Sequence, residues 1–430
     1  MGIQVHQMAQ ESQRLRFKES GAYWSRSDYM HWETIEPQDS DPKDYQWETV
    51  SEADLLAARA NGSETIANIL FTPAWARKYS GSACGPISQS ALDDFAKFMG
   101  ELVHRYSKAP YNVKYWEIGN EPDIDRSLVD GDSVYGCWGE MGDPYYGGRY
   151  YAEMLKAVYP VIKAADKNAK VIVGSLVLDC DPVNPPETEV GSGKYRDCTP
   201  SKFLEGILEA GGGDYFDGVG FHAYDYYYGQ QGSYGSAGWH SASDVTGPVL
   251  IAKARYLKSL LHRYGYSDKE LLNTELAVLC GKTGNEDYCL GDDFMNTKAY
   301  YIAQANAAAL AEDLRANIWY SLTGWRGSGL VDKNGTPNQA FRAFQFATSI
   351  FDKAIYDGRV EGFEGVMGYE FNVDDRVFWL VWSIDGTDHI LPSPIKPVAI
   401  LDVYGEPIEG SLESRELTIS VAPLYIQWHP

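Results

Sequence analysis

Short apolar runs alternate with longer amphipathic stretches eight times in this 430-residue chain, and that rhythm limits what it can fold into. Strands are expected over residues 3–6, 23–29, 65–71, 113–118, 170–178, 216–223, 270–279 and 316–322. Each is followed by a helical pattern, over 11–18, 50–60, 90–106, 148–165, 201–210, 248–264, 297–315 and 337–353. Strict strand-then-helix alternation with apolar strands implies a parallel sheet covered by helices. Eight such units allow the sheet to close, so the expected fold class is an α/β (β/α)8 TIM barrel. An open doubly wound sheet is the alternative, but no Gly-x-Gly-x-x-Gly turn follows the first strand.

From about residue 355 the pattern changes. The segments 366–371, 377–383, 398–403, 417–421 and 425–429 are short, rich in β-branched and aromatic residues, and partly alternating. Turns such as Asp385-Gly386 and Tyr404-Gly405 separate them. The expected division is a catalytic barrel over 1–354 and a small antiparallel, sandwich-like β-domain over 355–430, with the chain's N-terminal end a candidate for an extra strand.

Composition narrows the partners. A formal net charge of −23 repels polyanions, which argues against nucleic acid and anionic membrane but not against a neutral sugar polymer. The 31 Tyr and 12 Trp suit stacking on sugar rings, and equally suit ordinary core packing. No apolar run approaches the ~18 residues of a membrane span. The chain opens directly on a strand pattern, so a secretory signal is expected to be absent from this sequence. The sequons at Asn61 and Asn334 read as turns. Six cysteines lack any Cys-x-x-Cys pair, which disfavours a zinc site and suggests disulfides in a secreted chain. Six allow 15 pairings; proximity favours Cys180–Cys198 and Cys280–Cys289, leaving Cys84–Cys137, and six free thiols in a cytosolic enzyme are the alternative.

In a barrel of this kind the active site is built at the C-terminal ends of the strands. Two carboxylates stand there: Glu121, in Asn120-Glu121-Pro122 after the fourth strand, and Glu275, in Asn273-Thr274-Glu275 on the seventh. Strands four and seven face each other across a closed barrel, so the pair can flank one bond. Glycoside hydrolysis uses two carboxyl groups in that way, one protonating the leaving oxygen and one attacking the anomeric carbon. All six cysteines fall in loops on the same face, where bridges would order the cleft. The Tyr-rich loop 224–239 reads either as a stacking platform or as a lid.

Tyr115-Trp116-Glu117-Ile118 followed by Asn120-Glu121-Pro122 resembles the acid/base signature of glycoside hydrolase clan A, with family 39 the nearest likeness and family 5 the next. The likeness extends to Tyr23-Trp24-Ser25-Arg26, His31–Pro37, Phe71–Ala76, Phe221-His222-Ala223-Tyr224 and Trp325, and the C-terminal β-domain also suits family 39. The resemblance implies that Glu121 is the acid/base and Glu275 the nucleophile of a retaining β-glycosidase. It implies that Asn120 binds the sugar 2-hydroxyl and that Arg26 and Tyr224 hold the nucleophile, with His222 beside them. It also implies that Trp325 stacks under the sugar, and it calls for no cofactor or metal. Each residue has a plainer reading: Arg26 as a structural ion-pair partner, His222 as a core histidine, Trp325 as packing. Trp32, Trp75 and His6 are candidate cleft residues that read equally as core, and Glu117 reads as structural. Asp123 and Asp125 either bind a distal hydroxyl or face water. A non-catalytic carbohydrate-binding barrel and a transglycosidase are the competing functions; a metal-dependent hydrolase is disfavoured, because only His6 and His222 lie at strand ends. The sugar, the linkage and the choice between monomer and small homo-oligomer stay open at this stage.

Overall fold

The computed structural model of the protein describes residues 1–239, 247–392, 396–408 and 416–429, without the side chains of residues 28 and 29. The eight barrel strands are β1 (Gly2–Ile3), β2 (Trp24–His31), β3 (Glu64–Leu70), β4 (Tyr115–Asn120), β5 (Lys170–Leu176), β6 (Gly218–Tyr227), β7 (Glu270–Leu279) and β8 (Ala316–Trp319). Each pairs in parallel with the next, and β8 pairs with β1 to close the ring. The helices between and after them are α1 (Glu11–Ser20), α2 (Glu52–Ala60), α3 (Leu92–Tyr106), α4 (Gly148–Ala165), α5 (Phe203–Glu209), α6 (Leu250–Arg263), α7 (Asp292–Ala311) and α8 (Gln339–Phe351). Closure excludes the open-sheet alternative.

Local sequence explains these elements. In α3 the buried Leu92, Phe95, Met99, Leu102 and Tyr106 recur every three or four residues, with Asp93 and Asp94 in the first turn and Arg105 in the last. The Asn338 side chain caps α8 by accepting from the Phe341 N–H. Helix α7 is buried on nearly every side. Its many alanines let it pack between the barrel and the C-terminal sheet. It starts at Asp292, earlier than its pattern suggests, and ends at Ala311, because Asp313 turns the chain with φ 49°. Strand β6 runs four residues past its expected end, since Tyr226 and Tyr227 pair with Tyr234 and Gly235 in a hairpin. A one-turn helix at Trp32–Ile35 was not anticipated.

The C-terminal region forms a five-stranded antiparallel sheet and a two-stranded one. The first contains β9 (Ala354–Arg359), β10 (Val366–Val373), β11 (Arg376–Ser383), β13 (Ala399–Leu401) and β15 (Leu424–Trp428); the second pairs β12 (His389–Pro392) with β14 (Glu416–Ile419). The N-terminal end takes no part, because Gly2 and Ile3 pair inside the barrel. Alternation along β11 splits its side chains between two cores. Phe378, Leu380 and Trp382 join the barrel's cluster, while Val381 joins a smaller one with Leu391, Leu417 and Ile419. The larger sheet is therefore welded to the barrel, with Phe351 against Phe371 at 5.0 Å and Phe346 against Tyr425 at 4.9 Å. Among the described residues no helix is long and apolar enough to cross a membrane.

Candidate active site

Glu121 directly follows β4 with φ 51°, a left-handed conformation that is uncommon for a residue with a side chain. Its N–H donates to the Ser175 carbonyl at 2.8 Å. The loop after β4 returns beneath it. A Cβ on Gly136 would lie 2.1 Å from the Glu121 carbonyl oxygen and 2.3 Å from the Pro122 Cα, so only glycine allows that approach. The next residue, Cys137, is bonded to Cys84 of the loop after β3. Two loops thus fix the peptide that aims Glu121 into the barrel mouth.

Arg26, on β2 and 3% exposed, organises the floor of the site. Its Nε donates to Glu117 Oε2 at 2.6 Å, one terminal nitrogen donates to Glu275 Oε1 at 2.6 Å and the other to Asn120 Oδ1 at 2.6 Å. Glu117 is fully buried and also accepts from Asn68 at 2.8 Å and from Ser175. Its bonds account for a structural role. The Tyr224 hydroxyl donates to the second oxygen of Glu275. Residues His222 and Tyr224, two apart on β6, point the same way and meet the two carboxylates.

His222 lies between those carboxylates. Its Nδ1 is 2.7 Å from Glu121 Oε1 and its Nε2 is 3.5 Å from Glu275 Oε1. The distances have the form of ion pairs, but burial pulls the imidazole down to about 4, so near neutral pH it is an uncharged hydrogen-bonding partner. Burial pushes the Glu121 carboxyl up to about 7, against the opposing pull of Arg26 and Lys253. One ligand atom from each of Glu121, His222 and Glu275 lies within 4.8 Å of the others. Such a cluster is close enough to hold a metal ion, although Arg26 already supplies a cation to Glu275.

Glu121 and Glu275 line a cavity of about 440 Å³ with Arg26, Asn120, Tyr224, Trp325, Tyr320 and Tyr226, and His222 lies behind them. Trp325 is 48% exposed and meets the Tyr224 ring edge-on at 6.3 Å. His6 is half-buried and reaches the cavity only through Tyr320, its ring 5.9 Å from the tyrosine ring. Trp32 and Trp75 stand outside the cavity. Trp32 is 1% exposed, packs on Phe95 and Phe98 and donates to Glu36; Trp75 donates to the Glu36 carbonyl. Both are held by the one-turn helix after β2, which places them in the wall behind the cleft. Asp123 and Asp125 are both buried and are held by backbone N–H groups. Asp123 accepts the N–H groups of Val177 and Leu178, and Asp125 those of Ser127 and Met141.

Sequence reasoning missed several participants. Gln4 accepts from Arg26 at 3.4 Å, and Asn68 supports Glu117. Tyr135 and Val134 overhang the cavity from the loop that Cys137 anchors. Lys253, on α6 and buried, donates to the Val177 carbonyl at 2.6 Å and the His222 carbonyl at 2.8 Å, tying β6 to the chain after β5; burial pulls it down to about 8. The cysteines pair as Cys84–Cys137, Cys180–Cys198 and Cys280–Cys289, with none free.

No sequence-family model and no curated protein sequence matches the chain. Solved structures do. A family 39 glycoside hydrolase from Bacteroides cellulosilyticus WH2 superposes with TM-score 0.68 at 17% identity, covering 99% of this chain and 80% of that one. The family 39 enzyme of Xanthomonas axonopodis pv. citri gives 0.61 at 12% identity, over 100% and 94% of the two chains. A family 30 subfamily 8 xylanase from Clostridium acetobutylicum gives 0.58 at 14% identity, over 99% and 95%. The chain therefore has the fold of family 39 and family 30 glycoside hydrolases, a (β/α)8 barrel carrying a C-terminal β-domain.

Proposed function

We propose that the protein is a retaining β-glycoside hydrolase acting on an oligo- or polysaccharide, with Glu121 as acid/base and Glu275 as nucleophile. The observation that carries this reading is the approach of the two carboxylates, one oxygen of each lying within 4.8 Å of one of the other. Retaining enzymes hold such a pair about 5–5.5 Å apart, and inverting enzymes about 6.5–9.5 Å apart to admit a water. The environments of the two groups divide the labour. Glu121, buried and raised to about 7, keeps a proton to give to the leaving oxygen. Glu275, bound by Arg26 and Tyr224, is oriented for attack on the anomeric carbon. Once the glycosyl–enzyme bond forms, Glu121 has lost its proton and takes one from water, which then releases the sugar. Asn120, whose amide oxygen accepts from Arg26 and whose amide nitrogen donates to the Val134 carbonyl at 3.3 Å, borders the cavity, and Trp325 offers a ring face for stacking. The three disulfides support an extracellular location, where such bonds persist.

The test is stereochemical. Proton NMR of early products from aryl β-glycosides and soluble β-glucans, β-xylans and β-mannans is expected to show the β-anomer first. With azide, Glu121→Ala is expected to give a β-glycosyl azide. An α-anomer as first product overturns the retaining assignment. Binding of a glycan without any cleavage favours a non-catalytic barrel.

The same reading sets a pH dependence. The free enzyme needs Glu121 protonated for the first step, so kcat/KM is expected to fall as pH rises through about 7. A profile with no alkaline limb between pH 6 and pH 8.5, on a substrate with a poor leaving group, would show that another group supplies the proton.

A further inference from the structure

A buried cation close to the acid/base has no part in the chemistry described so far. Lys253, on α6, is 7% exposed, and its ammonium donates to two backbone carbonyls, Val177 at 2.6 Å and His222 at 2.8 Å. Burial works against the charged form of a lysine, so a lysine in a barrel wall is disfavoured unless its bonds replace something the backbone lacks.

What the backbone lacks at this point is a sheet. The register of β5 against β6 ends at Leu176 and Phe221. The next residues along the two strands are Val177 and His222, and there the Lys253 ammonium joins the carbonyls instead. Helix α6 brings it to that place. The Val249 N–H donates to Asp225 of β6 at 2.9 Å, Tyr301 donates to the same oxygen at 2.9 Å, and Lys253 stands one turn further along the helix.

The two bonds of Lys253 close a ring of contacts around Glu121. Val177 and Leu178 donate their N–H groups to Asp123, two residues past Glu121, each at 2.9 Å. His222 carries the imidazole that stands 2.7 Å from Glu121 Oε1. The ring therefore runs from the Glu121 peptide through Asp123 to the chain after β5, through Lys253 to β6, and through His222 back to the Glu121 carboxyl. Glu121 has φ 51°, a conformation that persists only where its surroundings enforce it.

We propose that Lys253 is a positioning residue for general acid catalysis, holding the ends of β5 and β6 together so that His222 and the Glu121 peptide aim the acid at the leaving oxygen. This rests on the hydrolase reading above. The nucleophile depends on it less, because Glu275 is also held by Arg26 of β2.

The experiment varies the need for the acid. On phenyl and 2,4-dinitrophenyl β-xylosides and β-glucosides, kcat/KM is measured for the parent, Lys253→Met and Lys253→Gln. Dinitrophenolate leaves without a proton, whereas phenolate needs one. Lys253→Met is expected to lower kcat/KM on the phenyl glycoside by roughly tenfold or more beyond its effect on the dinitrophenyl glycoside, a part of the 10²–10⁴-fold that a positioned acid supplies. Glu121→Ala sets the full size of that difference. Lys253→Gln keeps an N–H donor and carries the test if Lys253→Met does not fold; its difference is expected to be smaller but of the same sign. Lys298→Met removes another buried lysine that bonds two carbonyls, those of Gly327 and Gly329, and is expected to affect both leaving groups alike. Equal losses on the two leaving groups for the Lys253 variants, or no loss, would show that Lys253 serves the fold alone, and would leave the hydrolase reading standing. A parent that cleaves neither these glycosides nor the polysaccharide panel overturns both.

Discussion

Glutamine at position 275 is expected to abolish turnover while leaving the fold intact, with kcat/KM lower by roughly 10⁴-fold or more, the scale on which loss of a covalent nucleophile acts. The substitution is nearly isosteric. The amide oxygen still accepts from Arg26, and the amide nitrogen can donate to the Tyr224 hydroxyl, so the two contacts that orient the side chain survive in altered form. What disappears is the charge that attacks the anomeric carbon. Glu275→Ala, which opens space, is expected to react with azide to give an α-glycosyl azide, the opposite anomer from that of Glu121→Ala. Opposite anomers from the two variants assign the two roles independently. Retention of more than about a hundredth of the parent rate by Glu275→Gln would place the nucleophile elsewhere.

Fold and site were legible in the sequence to different depths, for physical reasons. The barrel could be read because β-strands buried on both faces leave near-continuous apolar runs, and their order in the chain is their order around the ring. The groups on strands could be read with them. Arg26, Glu117, His222, Tyr224 and Glu275 lie on β2, β4, β6 and β7, where position along a strand decides which side chains face the barrel mouth. Loop residues carry no such period. Tyr135 enters the cavity because the loop after β4 doubles back on Gly136 and is tied to Cys84, a contact made across distant sequence. Tryptophan identity was equally uninformative. Trp32 and Trp325 follow strand ends alike, but the one-turn helix after β2 turns Trp32 inward to Glu36, whereas the turn locked by Ser328 holds Trp325 outward. The partners of Asp123 and Asp125 were hidden for a related reason, since they are backbone N–H groups of loops whose paths no pattern announces.

Arg26→Met is expected to cost about 3–5 kcal/mol of stability, as breaking a buried ion pair does by leaving charge without a partner, and to lower Tm on the order of 10 °C. The cost follows from geometry. One guanidinium serves Glu117, Glu275 and Asn120 in three directions, and Glu117 has no exposure through which water could replace it. Arg26→Lys is expected to recover only part of the loss, because a single ammonium cannot span three acceptors held by β4 and β7. Pairing Arg26→Met with Glu117→Gln separates structure from chemistry. Removing the orphaned charge is expected to restore much of the Tm, while kcat stays low because Glu275 and Asn120 still lack the donor that aligns them. Thermal melts of the three variants beside their rates decide it: a Tm for Arg26→Met within about 2 °C of the parent would mean that the buried network contributes little to stability, and full activity in the double variant would mean that Arg26 acts only as a counter-ion to Glu117.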